Sequence, residues 1–287
     1  MARHSIEKFD ALANQMLCPV CHTPLTRNNA SLTCESGHTF TIAAKGYSNL
    51  IPNQKPLHGY NRSFFENRKT MMHAGLYDHV VAAVIQALET AYGTSAQKHA
   101  HITLLDAGCG EGFYSRTLNE KHGYQVVGLD VAKDAIAVAA AGGGDVLWLV
   151  GDVANIPLAD KSVDAILDVF TPANYAEFSR VLKPCGKLIK VIPGPNHMIE
   201  LRELLGDDLS SQTYSNKRVY DYFEEHLAVD NHLHACNTID LTAYDASFVD
   251  GLLQMTPVMF NQDKNAIDVN RLTHISVDAE ILVGTIN

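Results

Sequence analysis

From residue 101 onward, short apolar runs alternate with amphipathic stretches. Residues 102–106 and 125–130 read as buried strands, as do 146–150, 163–170 and 187–192. Between them, 113–121, 131–141 and 173–182 carry helical spacing, and Gly142, Gly143 and Gly144 close the second of these helices. Upstream, 64–74 and 77–92 read as helices; in the latter Val80, Val81, Val84, Ile85 and Leu88 recur on one face. Residues 201–240 show no clean strand rhythm and are expected to be helices and loops on the substrate side. A last strand is predicted at 274–286, where Ile275, Val277, Ala279 and Ile281 alternate. This rhythm predicts an α/β protein with a parallel, doubly wound sheet, which binds ligands at the carboxyl ends of its strands. There is no internal repeat and no low-complexity tract.

The chain has 287 residues, 46% hydrophobic and 19% charged, the make-up of a globular protein with a core large enough to need no disulfides. No apolar run approaches the roughly 18 residues of a membrane span, and the first ten residues do not read as a signal peptide, so a cytoplasmic protein is expected. The net charge of −10 divides unevenly: residues 1–75 carry +4 and the remainder −14. A basic N-terminal part on an acidic body suggests two modules with different partners. Local rather than global charge governs phosphate binding.

Three of the six cysteines cluster in the register Cys18-x2-Cys21-x12-Cys34-x3-His38. A Cys-x-x-Cys turn aims two thiolates at one point, and a second short turn does the same for Cys34 and His38. Between them a polar turn at Arg27, Asn28 and Asn29 is flanked by short strands, a zinc-ribbon plan. A redox pair would need neither Cys34 nor His38. Four protein ligands leave no open coordination position, so the metal is a structural Zn2+. His22 is a competitor ligand in the same neighbourhood, whereas Cys109, Cys185 and Cys236 read as ordinary thiols.

The turn Gly108-Cys-Gly110-Glu-Gly112 follows the first strand of the alternating region. Glycine turns of this kind also serve dinucleotides, and the spacing alone decides nothing. Three acids tilt the choice. Asp106 stands directly before the turn, Asp130 ends the next strand 22 residues beyond Gly108, and Asp152 follows the third. Asp130 is placed for ribose hydroxyls and Asp152 for an adenine amino group. A ligand with ribose and adenine but no pyrophosphate needs carboxylates rather than a phosphate cradle, a description that fits S-adenosylmethionine.

Residues 105–112 resemble motif I of the class I S-adenosylmethionine-dependent methyltransferases. The whole chain resembles one family among them, the zinc-containing bacterial 23S ribosomal RNA guanine-N1 methyltransferases, which include macrolide-resistance determinants. The resemblance runs from the zinc motif through Lys45-Gly46-Tyr47-Ser-Asn49-Leu50-Ile-Pro52 and Arg68-Lys69-x4-Ala74-Gly75-x-Tyr77. It continues through Pro193-Gly194-Pro195-Asn-His197 and Leu253-Gln254-Met255-Thr256-Pro257. It implies a Rossmann-like methyltransferase sheet with a small N-terminal zinc-ribbon domain. The expected division is 1–55 for the RNA-recognising ribbon, 56–100 for a helical linker contributing to the cofactor pocket, and 101–287 for the methyltransferase domain, with a substrate-side insertion at about 195–250.

The resemblance further implies a hairpin of 23S ribosomal RNA as partner and contacts to S-adenosylmethionine from Tyr77, Gly110, Glu111, Gly112, Phe113 and His197. Tyr77 as a helix cap and His197 as a polar residue near a helix start are the plain alternatives. Phe170 ends the strand that faces the transferred methyl in this fold, placed to stack on an extruded base or merely to fill the sheet edge. Guanine N1 must lose its proton before it can be methylated. Asp168 is a candidate base, or it faces the other side of its strand and supports a loop. Lys217 and Arg218 with Tyr214, Tyr220 and Tyr222 suit RNA contact or an ordinary solvated helix face. Where the family has Lys-Pro-Gly-Gly, this chain has Lys183-Pro184-Cys185-Gly186, a departure that can strain that corner. A homodimer would suit the gripping of folded RNA, although no residue demands one. Rival readings are a methyltransferase for a small molecule and a non-catalytic RNA-binding protein that keeps the cofactor as a structural ligand.

Overall fold

A computed structural model describes residues 6–12, 15–51, 57–206, 215–260, 262 and 268–286. Arg3, Lys55, Tyr214 and part of the linker lie outside the described residues. The N-terminal segment forms a three-stranded antiparallel sheet of β1 (Thr26–Asn28), β2 (Ser31–Thr33) and β3 (Thr39–Thr41). The turn joining β1 to β2 falls at Asn29 and Ala30, with Asn29 in the left-handed region at φ 52°; Arg27 and Asn28, expected in the turn, are ladder residues of β1.

The main sheet has eight strands. Six of them are β4 (Tyr47–Asn49), β7 (Leu147–Val150), β6 (Gln125–Asp130), β5 (Thr103–Ala107), β8 (Val163–Val169) and β9 (Leu182–Pro193), parallel in that spatial order. Beyond β9 lie β11 (His274–Ile286) and then β10 (Leu227–Asp240), both added antiparallel. The α-helices among the described residues are α1 (Arg62–His73), α2 (Asp78–Tyr92), α3 (Ala96–His99), α4 (Phe113–His122), α5 (Lys133–Ala141), α6 (Tyr175–Val181), α7 (Ile199–Leu204), α8 (Lys217–Glu224) and α9 (Ala246–Gln254).

Both faces of the sheet are covered, so its central strands are mostly apolar, with Asp106 in β5 and Asp168 in β8 as buried exceptions. In β5, Leu104 joins one core with Met71, Val84, Ile136 and Leu252, while Leu105 and Ala107 join the other with Phe9, Leu32, Phe178 and Phe223. Fully buried Trp148, the only tryptophan in the sequence, locks the glycine turn to the sheet. A Cβ on Gly112 would stand 2.3 Å from its ring, and one on Gly128 would stand 2.4 Å away.

Two findings depart from the sequence reading. Residues 227–240 form a 14-residue edge strand rather than helix and loop. Its alternation is faint because an edge strand buries little; only Leu227 and Ala235 are fully buried. The second is β4, a strand from within the N-terminal 55 residues that pairs with β7 and extends the main sheet. Three residues carry too short a pattern to announce it. The Pro184-Cys185 corner has Cys185 at φ 65°, the left-handed conformation that suits glycine.

Candidate functional site

Cys18, Cys21, Cys34 and His38 converge, with their ligand atoms all within 4.8 Å of one another. Cys18 Sγ and His38 Nδ1 are 3.6 Å apart, Cys21 and Cys34 Sγ 3.6 Å, and Cys34 Sγ and His38 Nδ1 3.3 Å. Tetrahedral zinc with Zn–S bonds near 2.3 Å separates its sulfurs by about 3.8 Å, so this donor set fits zinc with little adjustment. Each half is a tight turn: His22 N–H donates to Cys18 O at 2.8 Å, and Gly37 N–H to Cys34 O at 2.9 Å. His22, the competitor ligand, is not in the cluster.

At the carboxyl edge of the main sheet, the turn after β5 is fixed mostly by protein. Gly108 faces Thr171, whose Oγ1 would be 2.3 Å from an added Cβ, and Gly112 faces Trp148. Gly110, at φ 56°, has only Arg68 Nε nearby, at 3.7 Å from such a Cβ. Of the three glycines, Gly110 therefore leaves its side open for a ligand.

Asp130 clamps this turn, its Oδ2 accepting from Gly110 N–H at 2.8 Å and its Oδ1 from Ala132 N–H at 2.7 Å. Asp106 is buried beneath the turn and accepts from Ser115 Oγ at 2.5 Å. Burial pushes its carboxyl up to about 7, with neighbouring Glu111, Asp130 and Asp168 adding to the shift and the Ser115 bond opposing it. Burial likewise raises Asp130 to about 6, against its two backbone hydrogen bonds. Asp152 is exposed after β7; its Oδ1 accepts from Ala154 N–H at 2.8 Å. It lines a crevice with Pro19 and Val20 of the zinc loop.

Two cavities meet at Phe170. The smaller, about 260 Å³, is lined by Arg68, Tyr77, Phe170, His197, Met255 and Pro257 among others. The rings of Tyr77 and His197 lie 6.3 and 5.3 Å from that of Phe170. Burial drives His197 down to about 4, so it is neutral at pH 7, and its Nδ1 lies 2.9 Å from the Asp278 carbonyl. Phe113 packs edge-on against His73 nearby. The larger cavity, about 820 Å³, runs between the segment after β8 and helix α8, with Thr171, Lys190, Arg218 and Tyr222 in its wall. Phe170 itself is held at φ 54°, a strained position for an aromatic residue, by its N–H bond to Val191 O.

Asp168 has no exposed surface and lines neither cavity. Its Oδ2 accepts from Lys190 Nζ at 2.8 Å, and Lys190 also donates to Thr171 O at 2.9 Å. Asp168 therefore sits behind Lys190, which stands in the wall of the larger cavity, and its Oδ1 has no hydrogen-bond partner among the described residues.

Among the described residues, four of the basic side chains in 1–75 have partners within the fold. Arg27 makes a two-pronged pair with Asp10, Lys8 donates to Val146 O, Arg62 pairs with Glu66, and Arg68 pairs with Glu111. Lys217 is paired with Asp221, while Arg218 and Tyr222 face the larger cavity.

Arg68 enters the site without having been singled out for a role. The signal was available: it lies on the stripe of α1 that carries Phe64, Phe65, Met71 and Met72, where a charge must find a partner. Its guanidinium lies 5.9 Å over the Tyr77 ring.

Comparison with known proteins agrees with these two centres. The family model described as RlmA, N-terminal matches residues 16–56, and the one described as methyltransferase domain matches residues 105–190. The Bacillus subtilis (strain 168) protein YxjB, named as a 23S rRNA (guanine-N(1)-)-methyltransferase, is 33% identical over 281 residues, covering 93% of this chain and 95% of its own. The chain belongs to the 23S rRNA (guanine-N1)-methyltransferase family. A Streptomyces fradiae relative named 23S rRNA (guanine(748)-N(1))-methyltransferase is 32% identical over 66% of this chain and 67% of its own. A third, from Micromonospora griseorubida, is 33% identical over 68% of this chain and 71% of its own. As a member of this family the protein is an S-adenosylmethionine-dependent methyltransferase with a zinc ribbon. Among the described residues no helix is long and apolar enough to cross a membrane.

Proposed function

We propose that this enzyme methylates N1 of one guanine in a hairpin of 23S ribosomal RNA, in the cytoplasm, with its zinc ribbon helping to hold the RNA. The observation that carries the reading is the meeting of two cavities at Phe170, in a chain that aligns with YxjB over nearly its whole length, zinc ribbon included. S-adenosylmethionine supplies an electrophilic methyl group on a sulfonium. In this reading Gly110, Asp130 and Asp152 at the carboxyl edge of the sheet take its nucleoside end, Tyr77 and His197 in the wall of the small cavity take the other, and Phe113 opens the helix that follows the glycine turn. The larger cavity takes the extruded guanine, with Phe170 as its stacking wall and Tyr222 at its rim.

The proton on N1 is the chemical obstacle, because its loss leaves negative charge shared with O6. Lys190 is 4% exposed, lines the base cavity and spends two of its three N–H groups on Asp168 and Thr171. The third N–H is available to an oxygen that gains charge as N1 is deprotonated. Asp168 is then a positioning residue that fixes the ammonium group. In this reading Lys190→Met lowers kcat and moves its rise with pH to higher pH, while leaving S-adenosylhomocysteine affinity unchanged.

Primer extension on 23S ribosomal RNA from cells with and without the gene tests the reaction. Methylation at N1 blocks Watson–Crick pairing, so reverse transcriptase stops one nucleotide early. The stop should vanish on deletion and return when purified protein and S-adenosylmethionine are added to the unmodified RNA. Absence of a stop in both lanes would remove the ribosomal reading and leave a small-molecule substrate.

A further inference from the structure

Arg68 brings a full positive charge into the otherwise mostly apolar small cavity. Its side chain is only 20% exposed, and Nε lies 2.9 Å from Glu111 Oε2, whose own side chain is 2% exposed. Among the described residues neither Nη atom has a hydrogen-bond partner, although the residue lines the cavity beside Tyr77 and His197. The two Nη groups, four N–H donors in all, are turned to the cavity rather than sealed in the core, so a ligand there can complete them. Glu111 balances the charge from the Nε side, while the fork of the two Nη groups remains for a planar, two-oxygen anion.

The surroundings say where that anion comes from. The position an added Cβ would take on Gly110 is 3.7 Å from Arg68 Nε, so the guanidinium closes over the one glycine of the turn that faces open space. The cavity holds Arg202 as well and no carboxylate in its wall. It also meets the base cavity at Phe170, as required of the compartment next to the transferred methyl. We propose that Arg68 binds the α-carboxylate of S-adenosylmethionine through its two Nη groups, with Glu111 holding the guanidinium in place. This rests on the donor reading given above and assigns the amino-acid end of the donor to the small cavity.

The test separates the two ends of the ligand. Zinc-loaded, full-length protein is titrated calorimetrically with S-adenosylhomocysteine, which has the carboxylate, and with 5′-methylthioadenosine, which lacks the whole amino-acid group. Arg68→Gln should weaken S-adenosylhomocysteine about 100-fold, as expected for losing a buried charge-assisted pair, and change methylthioadenosine less than about threefold. Arg68→Lys keeps a charge beside Glu111 and so guards against a folding defect. It should cost about tenfold on S-adenosylhomocysteine alone, because a point charge replaces a fork. Equal weakening of both ligands, or no weakening of either, would overturn the assignment. If the unaltered protein bound neither ligand, the donor reading itself would fall, and this assignment with it.

Discussion

Replacing Asp106 by Asn isolates the electrostatic cost of the cofactor edge. The folded protein holds this carboxyl up at about 7, against an ordinary value of 3.8, chiefly because it is buried and also because three other acids lie near it. In the unfolded chain the group releases its proton near pH 3.9. Between about pH 4 and 7 the folded state therefore binds a proton that the unfolded state has lost. Stability from this group is fully present below pH 4 and is lost as pH rises through 7. The shift is about three pKa units, at about 1.4 kcal/mol each, which gives an upper bound near 4 kcal/mol. Of this, only the part between pH 5.5 and 7 falls in a range where the zinc site is easily kept intact, about 1.5 pH units or about 2 kcal/mol. Asn keeps the shape and an acceptor for Ser115 Oγ, 2.5 Å away in the parent, but it does not titrate. The stability of Asp106→Asn relative to the parent should therefore rise by about 2 kcal/mol between pH 5.5 and 8.5. Urea unfolding at four pH values measures it, and because both proteins carry the same zinc site, any loss of metal at low pH cancels in the difference. A difference that stays flat across that range would refute the argument, whatever its absolute size.

Substitutions at three positions test the backbone reading. Cys185→Gly relieves a left-handed residue at φ 65° and should stabilise by about 1 kcal/mol, seen as a rise in Tm of a few degrees, whereas Cys185→Ala should give no such gain. Gly112→Ala places a Cβ 2.3 Å from Trp148 at φ 77° and should destabilise by about 3 kcal/mol, with a shift in the emission of that single tryptophan. Gly110→Ala meets no such wall and should unfold within about 1 kcal/mol of the parent, yet lose S-adenosylhomocysteine binding in calorimetry.

How much of this was legible in the sequence depended on how local the cause was. The ribbon ligands could be read because two short turns each impose a fixed spacing, and the central strands because burial on both faces leaves continuous apolar runs. Arg68 was harder, since its role depends on Tyr77, Gly110 and His197, which come from three other parts of the chain and meet only in the fold. Asp168 shows the limit of strand alternation. Period two said that it faces one side, but its partner Lys190 lies 22 residues away on β9, and only their pairing shows that the lysine stands between it and the cavity. The glycines teach the same lesson in reverse: all three suggested a ligand, yet Thr171 and Trp148 account for two of them. The basic excess of residues 1–75 was a sum, and a sum does not show that several of those charges already have partners.

The ribbon and the cofactor edge are stitched together, so removing zinc should be felt beyond the ribbon. Asn155 Nδ2 donates to Pro19 O, inside the Cys18–Cys21 turn, at 2.9 Å, and Leu17 N–H donates to Pro157 O at 3.0 Å. Ala159 N–H donates to Gln15 O at 2.7 Å, and Leu50 N–H to Val150 O at 2.9 Å. The first bond ties residues 150–159, which include Asp152, to the turn that carries two of the zinc ligands, and the other three tie them to the chain on either side of the ribbon. Without zinc, three thiols and an imidazole lose their common partner, and a three-stranded sheet of nine residues has too little core to stay folded. Exposure to a chelator should therefore abolish amide-exchange protection in 15–42 and lower it by about tenfold or more in 150–159, while strands β5 and β8 keep theirs. Restoring zinc should return both segments together. Protection at 150–159 that survives complete metal loss would mean that the sheet edge holds itself, with the ribbon merely resting against it.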